Sequence, residues 1–400
     1  MSTLSILPYF PFNRVRIIKQ AVFADTEISQ ITAVPDQRYS PVCHVCGNRA
    51  QRIYRHEKRS IRDLNLGSIR VWINCLYRKI VCTPCNRIVV EDLEFFEPYS
   101  RVTRRLALSI HELCKVLTVN DVAKHFGINW KTVKAIDKYF LEQQYGETDY
   151  EGLRILAVDE IAISKGHRYL TVVLDYLSDR VIWTGKDRTK ETLGDFFAGM
   201  TDEQRQNIEA IAMDMWDPYI HAIKKHAPHV KIVFDLFHVV SSFGKVIDKI
   251  RNAEYRKASK EDKEVFKGSK YLLLRNKITI RKKEPREQLK QLLSLNETIN
   301  TVYILKDKLK LIWRYRSRTW ARKALDDWCS MAKTLTHPEI NKFVNMLLRY
   351  NYGILNHCDY QIHTSKLEGV NNKIKVIKRK AYGFLDERYF SLKIIQAFAN

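Results

Sequence analysis

The chain has 400 residues and carries 68 Lys and Arg against 45 Asp and Glu, a net charge of +23 at pH 7. That surplus implies a polyanionic partner, nucleic acid before any other, and binding that weakens as salt releases condensed counterions from phosphate. No apolar run approaches the ~20 residues of a membrane span, and in the N-terminal MSTLSILPYFPFNRVR the basic residues follow the apolar patch, so a soluble cytoplasmic protein without a secretory signal is expected.

At this length there is room for two or more domains with their own cores. Four of the eight cysteines form two pairs, Cys43-x2-Cys46 and Cys82-x2-Cys85, each on a tight turn (CHVCG and CTPCN). Two thiolates on such a turn can occupy adjacent corners of a tetrahedron around zinc. Ser68–Tyr77 and Arg78–Val81 read as strands between the pairs, the arrangement of a zinc ribbon. The predicted zinc is structural, since four protein ligands leave no open position. Disulfides are the alternative, disfavoured by the intracellular composition. His44, inside the first knuckle, could substitute as a ligand but is not expected to. Cys75, Cys114, Cys329 and Cys358 stand alone and read as buried apolar residues.

Residues 100–145 read as helical. Within Val119–Ile136, Ala123 allows close helix packing and Gly127 supplies the positive φ of a turn, while Val122, Phe126, Ile128, Val133 and Ile136 fall at the core positions of a helix-turn-helix. The second helix is N-capped by Asn129 and would offer Asn129, Trp130, Lys131, Thr132 and Lys134 to a DNA major groove.

Beyond Gly152 the pattern changes. Leu153–Asp159 is an apolar run ending in acids, as a buried strand reads, and Tyr169–Asp175 and Arg180–Gly185 follow as an antiparallel meander. A helix over Lys190–Met200, strands at Ile208–Asp214 and Val230–Asp235, and a helix near Pro218–His226 complete the order of a ribonuclease H-like sheet. Asp159 is expected to close the first strand and Asp214 the fourth, side by side at the carboxyl edge. Asp175, Asp217 and Asp235 read as turn caps or supports. Glu160, on the opposite face from Asp159, reads as structural or supporting.

From Phe237 to about Asn351 the chain reads as helical and basic, with clusters at 281–283 and 314–323. Trp313, Trp320 and Trp328 recur at helical spacing, a core face or, alternatively, a platform for unpaired bases. The next helix, KLEGVNNKIKVIKRK, has six basic residues and one acid, Glu368. Glu368, Asn372, Lys375 and Arg379 share a face at helical spacing, a carboxylate on a surface that otherwise invites phosphate. If the helical stretch is an insertion returning the chain to the sheet, Glu368 joins Asp159 and Asp214. Three such carboxylates can hold two magnesium (or manganese) ions for in-line phosphoryl transfer on DNA, with no nucleophilic side chain required.

Six local motifs then carry a family resemblance: VDE at 158–160, KGHRYLTVVLD at 165–175, GKDR at 185–188, MDMWDPY at 213–219, FDLFHVV at 234–240 and EGVNNKIKVIKRKAYGF at 368–384. Through them the chain resembles DDE transposases of the bacterial ISL3 insertion-sequence family over nearly its whole length. The resemblance implies Asp159, Asp214 and Glu368 as the catalytic triad and marks Asp235 and His238 as a further family feature. It implies an N-terminal zinc-binding domain (1–98), a helix-turn-helix (99–148), a ribonuclease H-like catalytic domain (149–250 and 351–400) and an all-α insertion (251–350). The implied activity is recognition of the element's terminal inverted repeats, metal-dependent cleavage, and transfer of 3′-hydroxyls to target DNA by a dimer or larger oligomer acting at the nucleoid. By helical spacing, Lys375 and Arg379 would contact phosphate near the scissile bond. A catalytically silent DNA-binding regulator and a ribonuclease H-type nuclease are the competing readings; the intact acids disfavour the first and the duplex-reading N-terminal modules the second.

Overall fold

The computed structural model describes residues 10, 12–97, 100–164, 168–362 and 365–399. Most of the N-terminal apolar patch, and the first three residues of the 165–175 motif, lie outside them. Two compact units form: one runs to Gly146 and takes in Lys380–Gly383, the other holds Glu147–Arg379 and the chain from Phe384. Among the described residues, no helix is long and apolar enough to cross a membrane.

The first unit begins with a sheet of β1 (Val15–Phe23), β2 (Ile28–Pro35), β3 (Arg52–Arg62), β4 (Arg70–Cys82) and β5 (Arg87–Val90). The strand order is β1-β2-β4-β3, with β5 also on β4. Nothing between Tyr77 and Arg78 breaks the chain, so the two strands expected there are one, β4. Its alternation turns Val71, Ile73, Cys75 and Tyr77 into the core, the period-2 pattern of a half-buried strand.

Three helices follow: α1 (Arg104–Val116), α2 (Val119–Phe126) and α3 (Trp130–Tyr145). Each starts on a side-chain cap, from Thr103, Thr118 and Asn129 respectively. Gly127, at φ 64°, makes the turn between α2 and α3, a conformation that costs residues with a Cβ. Val122, Phe126 and Val133 are buried together with Leu106 and Ile110 of α1, while Ile128 and Ile136 pack at the edge. A buried His111–Asp137 contact of 2.8 Å ties α1 to α3. Fully buried Asp63, just past β3, accepts hydrogen bonds from Thr103 Oγ1 at 2.7 Å and Arg105 Nε at 2.8 Å. The sheet and the helices of this unit are therefore joined by polar bonds as well as packing.

The second unit is built on β6 (Ile155–Ser164), β7 (Arg168–Asp175), β8 (Arg180–Lys186), then α4 (Lys190–Ala198), α5 (Asp202–Gln206), β9 (Ala210–Met213), α6 (Asp217–His226) and β10 (Lys231–Phe234). The strand order is β10-β9-β6-β7-β8. β6, β7 and β8 form the expected antiparallel meander, and β9 and β10 add in parallel.

Helices α7 (Leu236–Lys257), α8 (Lys260–Phe266), α9 (Lys270–Leu274), α10 (Lys283–Leu295), α11 (Glu297–Leu311), α12 (Arg318–Lys333), α13 (Pro338–Arg349) and α14 (Asn351–Leu355) come next. They share one hydrophobic core with the sheet, in which Leu156, Val158 and Phe234 sit with Phe243, Leu305, Trp328 and Ile354. The other face of the sheet is covered by α15 (Ser365–Lys380) and α16 (Glu387–Phe398): Leu367, Val370, Ile374, Phe390 and Ile394 pack on Ala157, Ile161, Val172 and Ala212. The chain does return to the sheet after the helices.

The three tryptophans do not share one face. Trp328 is 2% exposed and its indole N–H donates to the Leu305 carbonyl at 2.8 Å. Trp313 is partly buried, and Trp320 is 58% exposed. The count fails because Trp313 lies in a 3-10 turn, Ile312–Arg314, and α12 starts afresh at Arg318. Cys75, Cys114 and Cys329 are buried as expected, whereas Cys358 is part-exposed.

Candidate metal centres and DNA-binding elements

Cys43, Cys46, Cys82 and Cys85 bring their sulfurs within 4.8 Å of one another. Cys43 Sγ lies 3.9 Å from Cys85 Sγ, and Cys46 Sγ lies 3.5 Å from Cys82 Sγ. Thiolates bound about 2.3 Å from one tetrahedral ion would be about 3.8 Å apart, and all four cysteines are free of disulfides. His44 turns its Nδ1 to the Val90 carbonyl oxygen of β5, 2.8 Å away, which occupies that ring nitrogen.

At the start of α3, Asn129 Oδ1 accepts the Lys131 N–H at 2.8 Å, which sets the helix entry and spends the Asn129 side chain on the cap. Trp130, Lys131 and Thr132 are exposed and Lys134 is half-buried. In a helix-turn-helix, the N-terminal residues of the second helix are the ones that meet base edges.

In the second unit, the parallel register pairs Ile155 with Ala210 and Ala157 with Ala212. Two residues further along that register stand Asp159 and Asp214. β6 does not end at Asp159, as the sequence implied; it runs on to Ser164, paired with β7. The sheet edge falls at Asp159 because β9 stops at Met213, which leaves a step on which both acids stand.

Ligand oxygens of Asp159, Glu160 and Asp214 lie within 4.8 Å of one another. Asp159 Oδ1 accepts the Glu160 N–H at 2.8 Å, and Asp159 Oδ2 accepts from Asn371 Nδ2 at 2.6 Å. Burial, and then the charge of Asp214, push the Asp159 carboxyl up to about 7. The same two causes, in the same order, raise Glu160. Glu160 faces Arg188, Nη1 to Oε1 3.4 Å, away from Asn371, in keeping with the alternation, yet its carboxylate still joins the cluster.

A second cluster shares Asp214. His238 Nδ1 is 2.6 Å from Asp214 Oδ2, and His238 Nε2 is 3.7 Å from Asp235 Oδ2. Asp235 also caps α7, accepting the Phe237 N–H at 2.7 Å. Burial lowers the His238 imidazole, but the bond to Asp214 and the surrounding carboxylates leave it raised. Asp175 caps its own turn through the Leu177 N–H at 3.2 Å, and Asp217 pairs with Arg349 at 2.9 Å.

Glu368 lies in the first turn of α15 and is exposed; neither acid cluster includes it. Asn372, Lys375 and Arg379 are exposed with it. The residue of α15 that reaches Asp159 is Asn371, one turn on from Glu368 and in phase with buried Leu367 and Ile374. That phase was readable in the sequence, since Asn371 is Leu367 plus four. Arg188, beside Glu160, falls in the GKDR motif at 185–188, where nothing in the sequence marks it as a site residue.

The donor set suits a divalent cation. Glu160 Oε2 and Asn371 Oδ1 are buried without hydrogen-bond partners, and a buried orphan acceptor is costly unless something positive meets it. Clustered acids on a mixed sheet, in a chain with a helix-turn-helix, define a DDE-type DNA-processing enzyme. A family model described as "Transposase" matches residues 156–394, and one described as "Helix-turn-helix domain of transposase family ISL3" matches 91–141. The chain belongs to the ISL3 family of transposases. It is 39% identical over 360 residues to the transposase for insertion sequence element IS1001 of Bordetella parapertussis, covering 89% of this chain and 88% of that one. It is also similar, at 23% identity over 367 residues, to the transposase for insertion sequence element IS1557 of Mycobacterium tuberculosis, covering 86% of this chain and 82% of that one.

Proposed function

We propose that the protein recognises the terminal inverted repeats of its own insertion sequence, cleaves at the element ends and joins the freed 3′-hydroxyls to target DNA. The observation that carries this reading is the pair Asp159 and Asp214 at the step in the sheet, beside buried acceptor atoms with no protein partner. In this reading residues 149–250 and 351–400 form a ribonuclease H-like catalytic domain, with 251–350 inserted. Asp159, Asp214 and Glu368 hold two magnesium or manganese ions. When bound, such ions supply charge neutralisation and nucleophile activation for in-line displacement. Asn371 fixes the orientation of Asp159, and the His238–Asp235 pair fixes that of Asp214. Glu368, a neighbour of Asn371 at i,i+3, would reach the site by extending along the same flank of α15. Lys375 and Arg379, further along the exposed side of that helix, would meet DNA phosphate.

The four-thiol cluster holds a structural zinc in a zinc-ribbon-like domain (1–98), and the helix-turn-helix domain (99–148) reads duplex DNA through Trp130, Lys131, Thr132 and Lys134. Bringing two element ends together calls for at least a dimer, acting at the nucleoid in the cytoplasm. The test is to replace Asp159, Asp214 or Glu368 singly by Asn or Gln and measure cleavage of end-containing DNA with magnesium. Each variant should lose cleavage and keep DNA binding; wild-type cleavage from any one of them removes that residue from the triad.

A further inference from the structure

We propose that Arg188 is a built phosphate-binding group of this enzyme, presented to the non-bridging oxygens of the DNA phosphate at the cleavage site. The inference rests on the acid cluster being that site. It starts from a strained turn. β8 ends at Lys186, and the following residue, Asp187, has φ 66°, a region that a residue with a Cβ enters only when its surroundings hold it there. Here they do. The Asp187 N–H donates to the Tyr169 carbonyl at 2.9 Å, and the Thr171 hydroxyl donates to the Asp187 carbonyl at 2.5 Å. Thr171 Oγ1 is itself 2.7 Å from the buried Tyr219 hydroxyl.

The turn delivers Arg188 between two aromatic rings. Its guanidinium carbon lies 4.2 Å from the Tyr169 ring centroid and 4.7 Å from that of Trp216. The Trp216 indole N–H donates to the Arg188 carbonyl at 3.1 Å, so backbone and side chain are fixed by the same residue. Trp216 stands two positions beyond Asp214, which sets the sandwich against the acid cluster.

The guanidinium so held is largely unspent. It has five N–H donors, and its only side-chain hydrogen bond among the described residues is the 3.4 Å contact from Nη1 to Glu160 Oε1. An arginine serving only to neutralise Glu160 would close on both oxygens, yet Glu160 Oε2 has no partner. The Arg188 side chain is 35% exposed, so a ligand can approach it. A planar fork, pre-oriented by stacking and holding free donors, matches a phosphate's paired oxygens. In a DNA-cleaving enzyme the phosphate that comes up beside Asp159, Glu160 and Asp214 is the DNA backbone.

The test compares Arg188→Ala, Arg188→Lys, Glu160→Gln and the Glu160→Gln/Arg188→Ala double variant in the full chain. Binding to an end-containing duplex is followed by fluorescence anisotropy over a salt series, and cleavage is followed with magnesium. Arg188→Ala should lower the slope of log K against log salt by about one and slow cleavage by roughly 100-fold, the scale of losing one preorganised donor. Arg188→Lys should keep the slope and recover little of the cleavage, because an ammonium lacks the planar fork; it also guards against misreading an Arg188→Ala variant that misfolds. The double variant should cleave no faster than Arg188→Ala, and slower where the Glu160 charge also serves the cluster. Restored cleavage in the double variant would overturn the proposal, leaving Arg188 as the counter-ion of Glu160, and so would an unchanged salt slope in Arg188→Ala. Failure of the underlying site reading shows separately, as full cleavage by Asp159→Asn.

Discussion

Asn371 Nδ2 donates to Asp159 Oδ2 across 2.6 Å, joining α15 to β6 at the acid cluster. An amide that holds a carboxylate in place acts on the chemistry through that carboxylate. Replacing Asn371 by Ala should cut strand cleavage by about 10–100-fold, the usual effect of losing a residue that orients a metal ligand. Manganese binding, followed by electron paramagnetic resonance, should weaken in parallel while the melting curve changes little. Normal manganese affinity with slow cleavage would place Asn371 on the substrate instead.

The Asp159 carboxyl, held up to about 7 by burial and the Asp214 charge, makes a prediction about pH. Its folded value lies above the ~3.9 of an unfolded chain, so the folded protein binds the extra proton between those two values. Stability of the magnesium-free protein should therefore fall as pH rises from about 4 to about 7. Asp159→Asn removes the penalty and should be more stable than wild type at pH 8, by on the order of 1–4 kcal/mol, with little difference near pH 4. Magnesium added at pH 8 should raise the wild-type melting temperature and not that of the variant. Parallel pH profiles for the two proteins would contradict the burial of this charge.

Zinc content separates the four clustered thiols from the isolated ones. Cys82→Ser should lose about one zinc per chain and destabilise the N-terminal unit, since ligand binding and folding of such a module are coupled. Cys75→Ala, in the core of the same sheet, should keep its zinc and lose only packing energy. Equal zinc in both variants, measured by atomic absorption, would show that the cluster is not the site.

Asp63 is fully buried between Arg105 and Thr103. Asp63→Asn removes a buried charge that accepts from Arg105 and Thr103, and the cost should be about 1–3 kcal/mol, the scale of hydrogen bonds to a charged group. Thermal unfolding of the N-terminal unit would report it; a loss below 1 kcal/mol would mean that the Asp63 bonds do little to join the sheet to the helices.

Much of this architecture was legible from period and punctuation. The β6–β7–β8 meander, Gly127 at the turn and Asn129 at the cap are local events, fixed by residues close in sequence. The adjacency of Asp159 and Asp214 was also readable, because two apolar strands ending in acids align once they pair in parallel. Spacing alone puts Asn372 at i+4 on the Glu368 face, whereas tertiary packing selects Asn371. Arg188 could not be found this way. Its position depends on a non-glycine residue held at positive φ and on two rings, Tyr169 and Trp216, brought together only by the folded sheet.

The helices between β10 and α15 share one apolar interior with the strands. Such a segment cannot be traded between relatives as a cassette, because few of its buried side chains would find complementary shapes in another host. Hybrid enzymes made by exchanging residues 251–350 should therefore fail to fold, an outcome that thermal melting would report. The interior of the second unit can therefore change only by small, compensated steps.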